Sequence, residues 1–292
     1  ANSLRSAQIY FFAMCLFYIF VRFNMKNRKE MKKWMLVVLV LAGSVSWGQA
    51  QIKIGNRTIN TKKVLNAASE VASAITLSDE DVAALCRESV KWMDEQNPVS
   101  DPGSAYSKRL DSLMKKVGEV EGLKLNYKVY EVVDINAFAC GDGSIRVFSA
   151  LMDLMDDDEL MAVIGHEIGH VVHTDSKDAM KNAYLAAAAK SAAGAAGGVL
   201  EKLTDSQLGE IAQALSNAQF SQKQETEADE YGFEFCIKHG FDPYGMANAL
   251  EKLNNLSEGQ KASKFQQMFS SHPDSAKRAS RMKEKADAYL NK

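Results

Sequence analysis

The chain has 292 residues, of which 46% are hydrophobic, with 35 basic and 37 acidic side chains; this is enough apolar material for one sizeable core and excludes a disordered polypeptide. Residues 1–50 hold seven Lys or Arg and one acid, so the remaining 242 residues carry 28 basic against 36 acidic side chains, a net charge of −8. Such a mildly acidic body has no basic face for phosphate backbones, which excludes nucleic acid as a partner.

Met31-Lys32-Lys33 precedes the apolar run from Met35 to Val45 and small residues up to Ala50. This order predicts a signal peptide over 31–50, cleaved after Ala50; the apolar run is short of the roughly 20 residues of a membrane span. Residues 1–30 carry a second short apolar run, from Ile9 to Val21, and read either as an over-extended start or as an extra anchor. No Cys follows the apolar run directly, so anchoring through a lipidated N-terminal Cys is not expected. The expected location is the periplasm or the medium, with peripheral membrane association left open and a membrane-anchored form disfavoured. Beyond Cys15, the chain has Cys86, Cys140 and Cys236. Three cysteines at scattered spacings imply no disulfide framework, and each reads as a small buried hydrophobe.

Residues 51–77 read as a linker. Ser78, followed by three acids, opens a helix that stops before Asn97-Pro98. A second helix follows Asp101-Pro102 and carries Leu110, Leu113, Met114 and Val117. Leu125 to Val133 alternates apolar and polar residues, predicting a strand. Asn136 to Ala139, the turn Cys140-Gly141-Asp142-Gly143 and Ser144 to Phe148 predict a hairpin. Everything after it reads as helix. The Ala/Gly-rich stretch 184–200 is interrupted by Lys190; it fits a small-residue helix pressed against another backbone, or a flap hinged on Gly194, Gly197 and Gly198.

Residues 156–173 read DDDELMAVIGHEIGHVVH. Within this segment His166 and His170 stand four apart, so on a helix both imidazoles lie on one face and can grip one Zn²⁺; Glu167 beside them can take a proton from water. Leu160, Met161, Val163, Ile164, Ile168, Val171 and Val172 make the helix apolar around most of its circumference, so it is predicted to be buried. A catalytic zinc usually takes three protein ligands. Glu225 and Asp229 share one face of a later helix, where one can bind metal and the other can accept a ring N–H. Glu227 and Glu230 read as a solvated face, and spacing alone prefers Glu225 over Glu227 only modestly.

The HEIGH helix and the later E-T-E-A-D segment resemble the gluzincins of metallopeptidase family 48, to which the CAAX prenyl endopeptidase and HtpX-like proteases belong, and within it the soluble periplasmic LoiP-like branch. The resemblance spans roughly Ser78 to the C-terminus and implies a mostly helical, zincin-like α+β fold with a small sheet. It implies one Zn²⁺ per subunit on His166, His170 and Glu225, with Glu167 as general base and Asp229 orienting a ligand imidazole. Asn136-Ala137-Phe138-Ala139 resembles the family's cleft-edge hairpin, on which an extended peptide can pair; Cys140-Gly141-Asp142-Gly143 departs from its commoner Pro-Gly-Gly type of turn. His272, in Ser271-His272-Pro273, matches a loop His that in periplasmic relatives caps the metal's open position. Physically, an imidazole there can fill that position, bond a developing oxyanion, or be a plain loop residue. Arg278, His272 and Tyr231 are the oxyanion candidates. His173 and His239 read as structural, the latter at a helix C-terminus where a cation is favourable. The implied function is zinc endopeptidase action on unfolded or misassembled envelope proteins; the alternative is a latched chaperone or scaffold with little proteolysis. Oligomeric state is not legible.

Overall fold

The computed structural model describes residues 51–54, 57–60, 77–190, 203–259, 272 and 275–292, and the chain divides into two units, residues 1–64 and 65–292. The expected signal peptide and N-terminal extension lie outside the described residues. In the first unit β1 (Gln51–Ile54) and β2 (Arg57–Asn60) pair antiparallel, with Ile52 opposite Ile59. This hairpin was read as linker. Its signal is a Gly-Asn pair between two short alternating runs, a two-residue hairpin loop. Among the described residues, no helix is long and apolar enough to cross a membrane.

The second unit begins with α1 (Asp79–Gln96), where Ser78 and Asp81 form a reciprocal capping box. In α2 (Ala105–Met114) the cap is Ser104, because Asp101 instead closes a turn by accepting from Gly103 and Ser104. Val117, expected within this helix, lies beyond its end but is buried. The sheet contains β3 (Asn126–Tyr130), β4 (Ala137–Ala139) and β5 (Ser144–Phe148) in the order β3-β5-β4. The predicted β4–β5 hairpin is present, and β3 lies parallel to β5 on its other side. Gly143 closes the hairpin turn at φ 86°, and a Cβ there would stand 2.5 Å from the Lys124 carbonyl oxygen, so only glycine fits. Among the described residues, seven helices follow: α3 (Ser149–Leu154), α4 (Asp157–Val172), α5 (Asp175–Lys190), α6 (Asp205–Ser216), α7 (Gln222–His239), α8 (Gly245–Gly259) and α9 (Ser275–Leu290). The protein is therefore a mostly helical α+β fold with a small mixed sheet.

Helix α4 is the axis of this unit. A capping box of Asp156 and Glu159 starts it, and every residue from Glu159 to His170 is buried. It packs against β4, α7 and α8. Helix α7 comes especially close because a Cβ on Gly232 would meet the Ala162 carbonyl oxygen at 3.0 Å and the His166 nitrogen at 3.1 Å. A second core joins Leu85 and Val90 of α1, Tyr130 and Phe138 of the sheet, Met180 of α5 and Ile211 of α6. Ala183, Tyr184 and Ala187 are buried in it, which bears out a small-residue packing helix for the start of the Ala/Gly stretch; its three glycines lie outside the described residues.

One polar bolt ties α1 to the sheet. Asp94 accepts from Arg146 Nε at 2.7 Å, Lys128 Nζ at 2.7 Å and the Tyr130 hydroxyl at 2.7 Å. Arg146 is only 2% exposed, and a buried guanidinium without its carboxylate is strongly destabilising. Burial works to raise the Asp94 carboxyl, but hydrogen bonds from Arg146, Lys128 and Tyr130 outweigh it and bring it down to about 2 from the usual 3.8. A depressed carboxyl adds stability above its unfolded value and loses it as pH falls through the folded one. Asp94→Asn is expected to cost about 2–3 kcal/mol at neutral pH, and urea-unfolding midpoints of wild type and variant should converge between pH 4 and 2.

Candidate metal centre

His166 and His170 lie on one face of α4 and are 4% and 1% exposed. Polar rings so deeply buried need partners, and each Nδ1 has one. His166 Nδ1 is 3.0 Å from Asp229 Oδ1 on α7, and His170 Nδ1 is 2.9 Å from Asp175 Oδ2 at the start of α5. A carboxylate can only accept, so His170 donates its Nδ1–H to Asp175, while Asp229 stands beside His166 Nδ1 as its charge partner. The two Nε2 atoms are 3.1 Å apart. Lone pairs at that separation repel unless a proton or a cation lies between them.

Two further donors converge on the same point. Glu225 Oε1 is 3.4 Å from His170 Nε2, and Glu225 Oε2 is 3.7 Å from His166 Nε2. His272 Nδ1 is 3.2 Å from His166 Nε2 and 2.9 Å from Glu225 Oε1. Donor atoms from all four residues lie within 4.8 Å of one another. Nitrogen and oxygen ligands at about 2.0–2.1 Å from a tetrahedral ion are separated by about 3.3–3.4 Å, and the observed spacings scatter around that value. Charge agrees as well. Among the groups described, the four acids Glu167, Glu225, Asp175 and Asp229 outnumber the guanidiniums of Arg278 and Arg281, an acidic excess suited to a cation.

Titration reflects the same field. Burial alone would lower His170, but the Asp175 and Glu225 hydrogen bonds and the Glu167 charge raise it to about 9. For His166 burial dominates and the ring is shifted down, the Asp229 bond notwithstanding. Glu225, opposed by burial, is held far below the carboxylate range by His170, His272 and His166. Burial likewise works against Asp229, yet Arg278 and His166 bring it to about 2.

Helix α9 supplies the outer cations. Arg278 Nη1 is 2.5 Å from Glu225 Oε2, while its Nη2 and Nε reach Asp229 at 2.7 and 2.9 Å. This guanidinium is engaged with the two carboxylates, which changes the expectation that it serves as an oxyanion donor. Arg281, missed from the sequence, also reaches Asp229 at 2.7 Å. Tyr231 is turned away: its ring meets His173 edge-on, one turn beyond His170. Glu227 pairs with Lys223 and Glu230 with Lys285, the solvated face expected. His239 ends α7, but burial shifts it down, its ring packs on Phe235, and it gains nothing from the helix terminus as a cation.

Glu167 is 4% exposed and its Oε1 has no hydrogen-bond partner within the protein. His272 Nε2 lies 3.6 Å from it. A buried carboxylate oxygen left open beside a ring of metal donors is suited to bind and deprotonate a water. Asp175 was also missed. It is delivered by Thr174, whose φ of 68° is a left-handed conformation costly for a β-branched residue, on the order of 1–3 kcal/mol. Gln224 Nε2 holds the other Asp175 oxygen at 2.7 Å. The findable signal was an acid five residues beyond His170, once each buried ring is required to have an acceptor.

Residues 105–286 match the model of peptidase family M48. Metalloprotease LoiP of Escherichia coli (strain K12) is 39% identical over 245 residues, covering 84% of this chain and 96% of that protein. Metalloprotease YcaL of the same organism is 39% identical over 228 residues, covering 78% and 88%. The beta-barrel assembly-enhancing protease of Escherichia coli (strain K12) is 30% identical over 186 residues, 60% of this chain and 37% of that protein.

Removing the acceptor that fixes a ligand imidazole typically weakens metal binding by about 10–100-fold. Asp175→Ala is expected to do so when the protein competes with a chelator of known affinity, with the helical circular dichroism unchanged. Unaltered affinity would take Asp175 out of this role.

Proposed function

The chain belongs to peptidase family M48 and is a metalloendopeptidase, and we propose that it acts through one Zn²⁺ per subunit held by His166, His170 and Glu225. The observation that carries this reading is the pair of inward-facing Nε2 atoms 3.1 Å apart, closed by the Glu225 carboxylate. Two imidazoles and a carboxylate form a hard, oxygen- and nitrogen-rich set that suits Zn²⁺ and leaves one tetrahedral position for chemistry. When bound, the ion would supply Lewis acidity, acidifying a water and polarising the scissile carbonyl.

The protein's own groups do the rest. Glu167 Oε1 takes the proton of the attacking water and later delivers it to the leaving amine. Asp229 and Asp175 fix the tautomer and aim of the two imidazoles. Arg278 holds Glu225 and Asp229 ionised and in place, acting on the site through them. Strand β4 is the edge of the sheet and packs beside α4, so an extended polypeptide can add to that edge as a further strand. Ser176 Oγ donates to the Ala139 carbonyl at 3.2 Å and marks the end of the free edge. A site that reads backbone in this way suits unfolded or misassembled polypeptides. Residues 31–50 have the order of an export signal, and one relative is named for enhancing β-barrel assembly; both support quality control in the cell envelope, with the protein in the periplasm or outside. Replacing Glu167 by Gln should preserve metal content while lowering cleavage of unfolded casein by about 10²–10⁴-fold; full activity in that variant would exclude Glu167 as the base.

A second reading rests on His272. Its Nδ1 stands among the other donors and would fill the remaining position of a bound ion, which supports a latched form; a persistently latched protein would act as a chaperone or scaffold. His272→Ala separates the roles: a latch predicts increased casein cleavage, whereas an oxyanion donor predicts a loss of about 10²-fold or more in kcat with metal content unchanged.

A further inference from the structure

We propose that Cys86 and Cys140 form a disulfide that clamps α1 to the turn of the β4–β5 hairpin when the chain folds in an oxidising medium. The two residues stand 54 positions apart in the sequence, and nothing in their spacing marks them as a pair. The fold brings their sulfurs, together with a carboxylate oxygen of Asp142, within 4.8 Å of one another. Both thiols are reduced in this structure and both are fully buried. Neither belongs to the donor set on α4, α7 and His272, so the inference does not depend on the peptidase reading.

The surroundings favour a bond between the sulfurs over a metal. A closed structural zinc site takes four ligands, mostly thiolates and imidazoles; here there are two thiols and one carboxylate. That carboxylate is already engaged, since Asp142 accepts from the Ser144 backbone at 3.1 Å and from its hydroxyl at 2.9 Å. The two sulfurs need only each other. Contact with Cys86, together with burial, pushes the Cys140 thiol well above its ordinary range, so Cys140 is a poor nucleophile once folded. Cys140 is also fixed in place: its N–H donates to the Ser144 carbonyl and its own carbonyl accepts from Gly143 N–H. Exchange therefore belongs to folding, before α1 closes over the turn.

The chemistry needs an external disulfide, of which oxidised glutathione is the simplest. One cysteine thiolate attacks it, forming a mixed disulfide and releasing one glutathione thiolate. The second cysteine, deprotonated, attacks the protein sulfur of that mixed disulfide and expels the second glutathione thiolate. The two protein thiols lose two protons and two electrons, and one external disulfide becomes two thiols. The crosslink closes a loop that contains α2 and β3 and ends at the edge strand β4. A loop of this length should raise Tm by on the order of 10 °C.

The test refolds the reduced full chain from urea in a glutathione redox buffer with EDTA, blocks free thiols with iodoacetamide, and maps the peptides by mass spectrometry. The expected result is a peptide joining Cys86 to Cys140, an alkylated Cys236, and a Tm raised over protein refolded in dithiothreitol. Cys86→Ser and Cys140→Ser should each lose that increment. Alkylation of both cysteines in the wild type, or their linkage to Cys15 or Cys236, overturns the proposal whether or not the variants fold. So would cobalt thiolate charge-transfer bands that survive His166→Ala but vanish in Cys86→Ser, because these would assign a metal site instead.

Discussion

Two buried imidazoles on one apolar helix bring their Nε2 atoms within 3.1 Å of each other, close enough to share a proton or to grip one cation. The constraint arises one layer out. Asp229 and Asp175 each stand beside an Nδ1, and both Nε2 atoms face the same point. Glu225 adds a carboxylate, and Arg278 and Arg281 partly balance the acids from behind. The organisation of the second unit follows from the need to hold these groups without water and to meet them with a divalent cation.

Helices α4, α5, α7 and α9 each deliver part of that cluster, and their packing explains how they can. Gly232 lets the α7 backbone approach α4 until a single added carbon would collide with Ala162 and His166. At that distance a side chain as short as Asp229 reaches His166. Helix α9 then lies where Arg278 can fork across Glu225 and Asp229 together, a bidentate geometry that an ammonium group could not reproduce. Thr174 spends backbone strain at the end of α4, and the reversal it makes brings Asp175 back under His170. Glu167, beside His166 in the sequence, is buried with Oε1 free of hydrogen bonds within the protein, which is what the proposed general base requires.

Much of the fold could be read directly from local chemistry. Ser78 announced a helix start because a cap is a contact between residues three apart. The β4–β5 hairpin followed from alternation around a glycine-bearing turn. Where the reading slipped, the deciding contact was distant or conditional. Residues 51–77 were taken as linker although two short strands pair there, over 51–54 and 57–60. His239 occupies the helix end where a cation is favoured, but burial beside Phe235 shifts it downward. Tyr231 was weighed as an oxyanion partner, and the helix rotation that aims Asp229 inward sends Tyr231 toward His173.

The amino-acid sequence by itself determined the reactive helix, since a four-residue spacing on a 3.6-residue turn places His166 and His170 on one face in any setting. It also determined the apolar character that buries this helix, and the family resemblance that singled out Glu225, Asp229 and His272. Only the tertiary structure decided which acid serves which imidazole, that Arg278 serves the carboxylates, that His272 stands among the donors, and that Cys86 meets Cys140. These are contacts between side chains tens of residues apart, set by how closely two helices can approach and by where a strand ends. A linear pattern carries no information about those distances until the core has been packed.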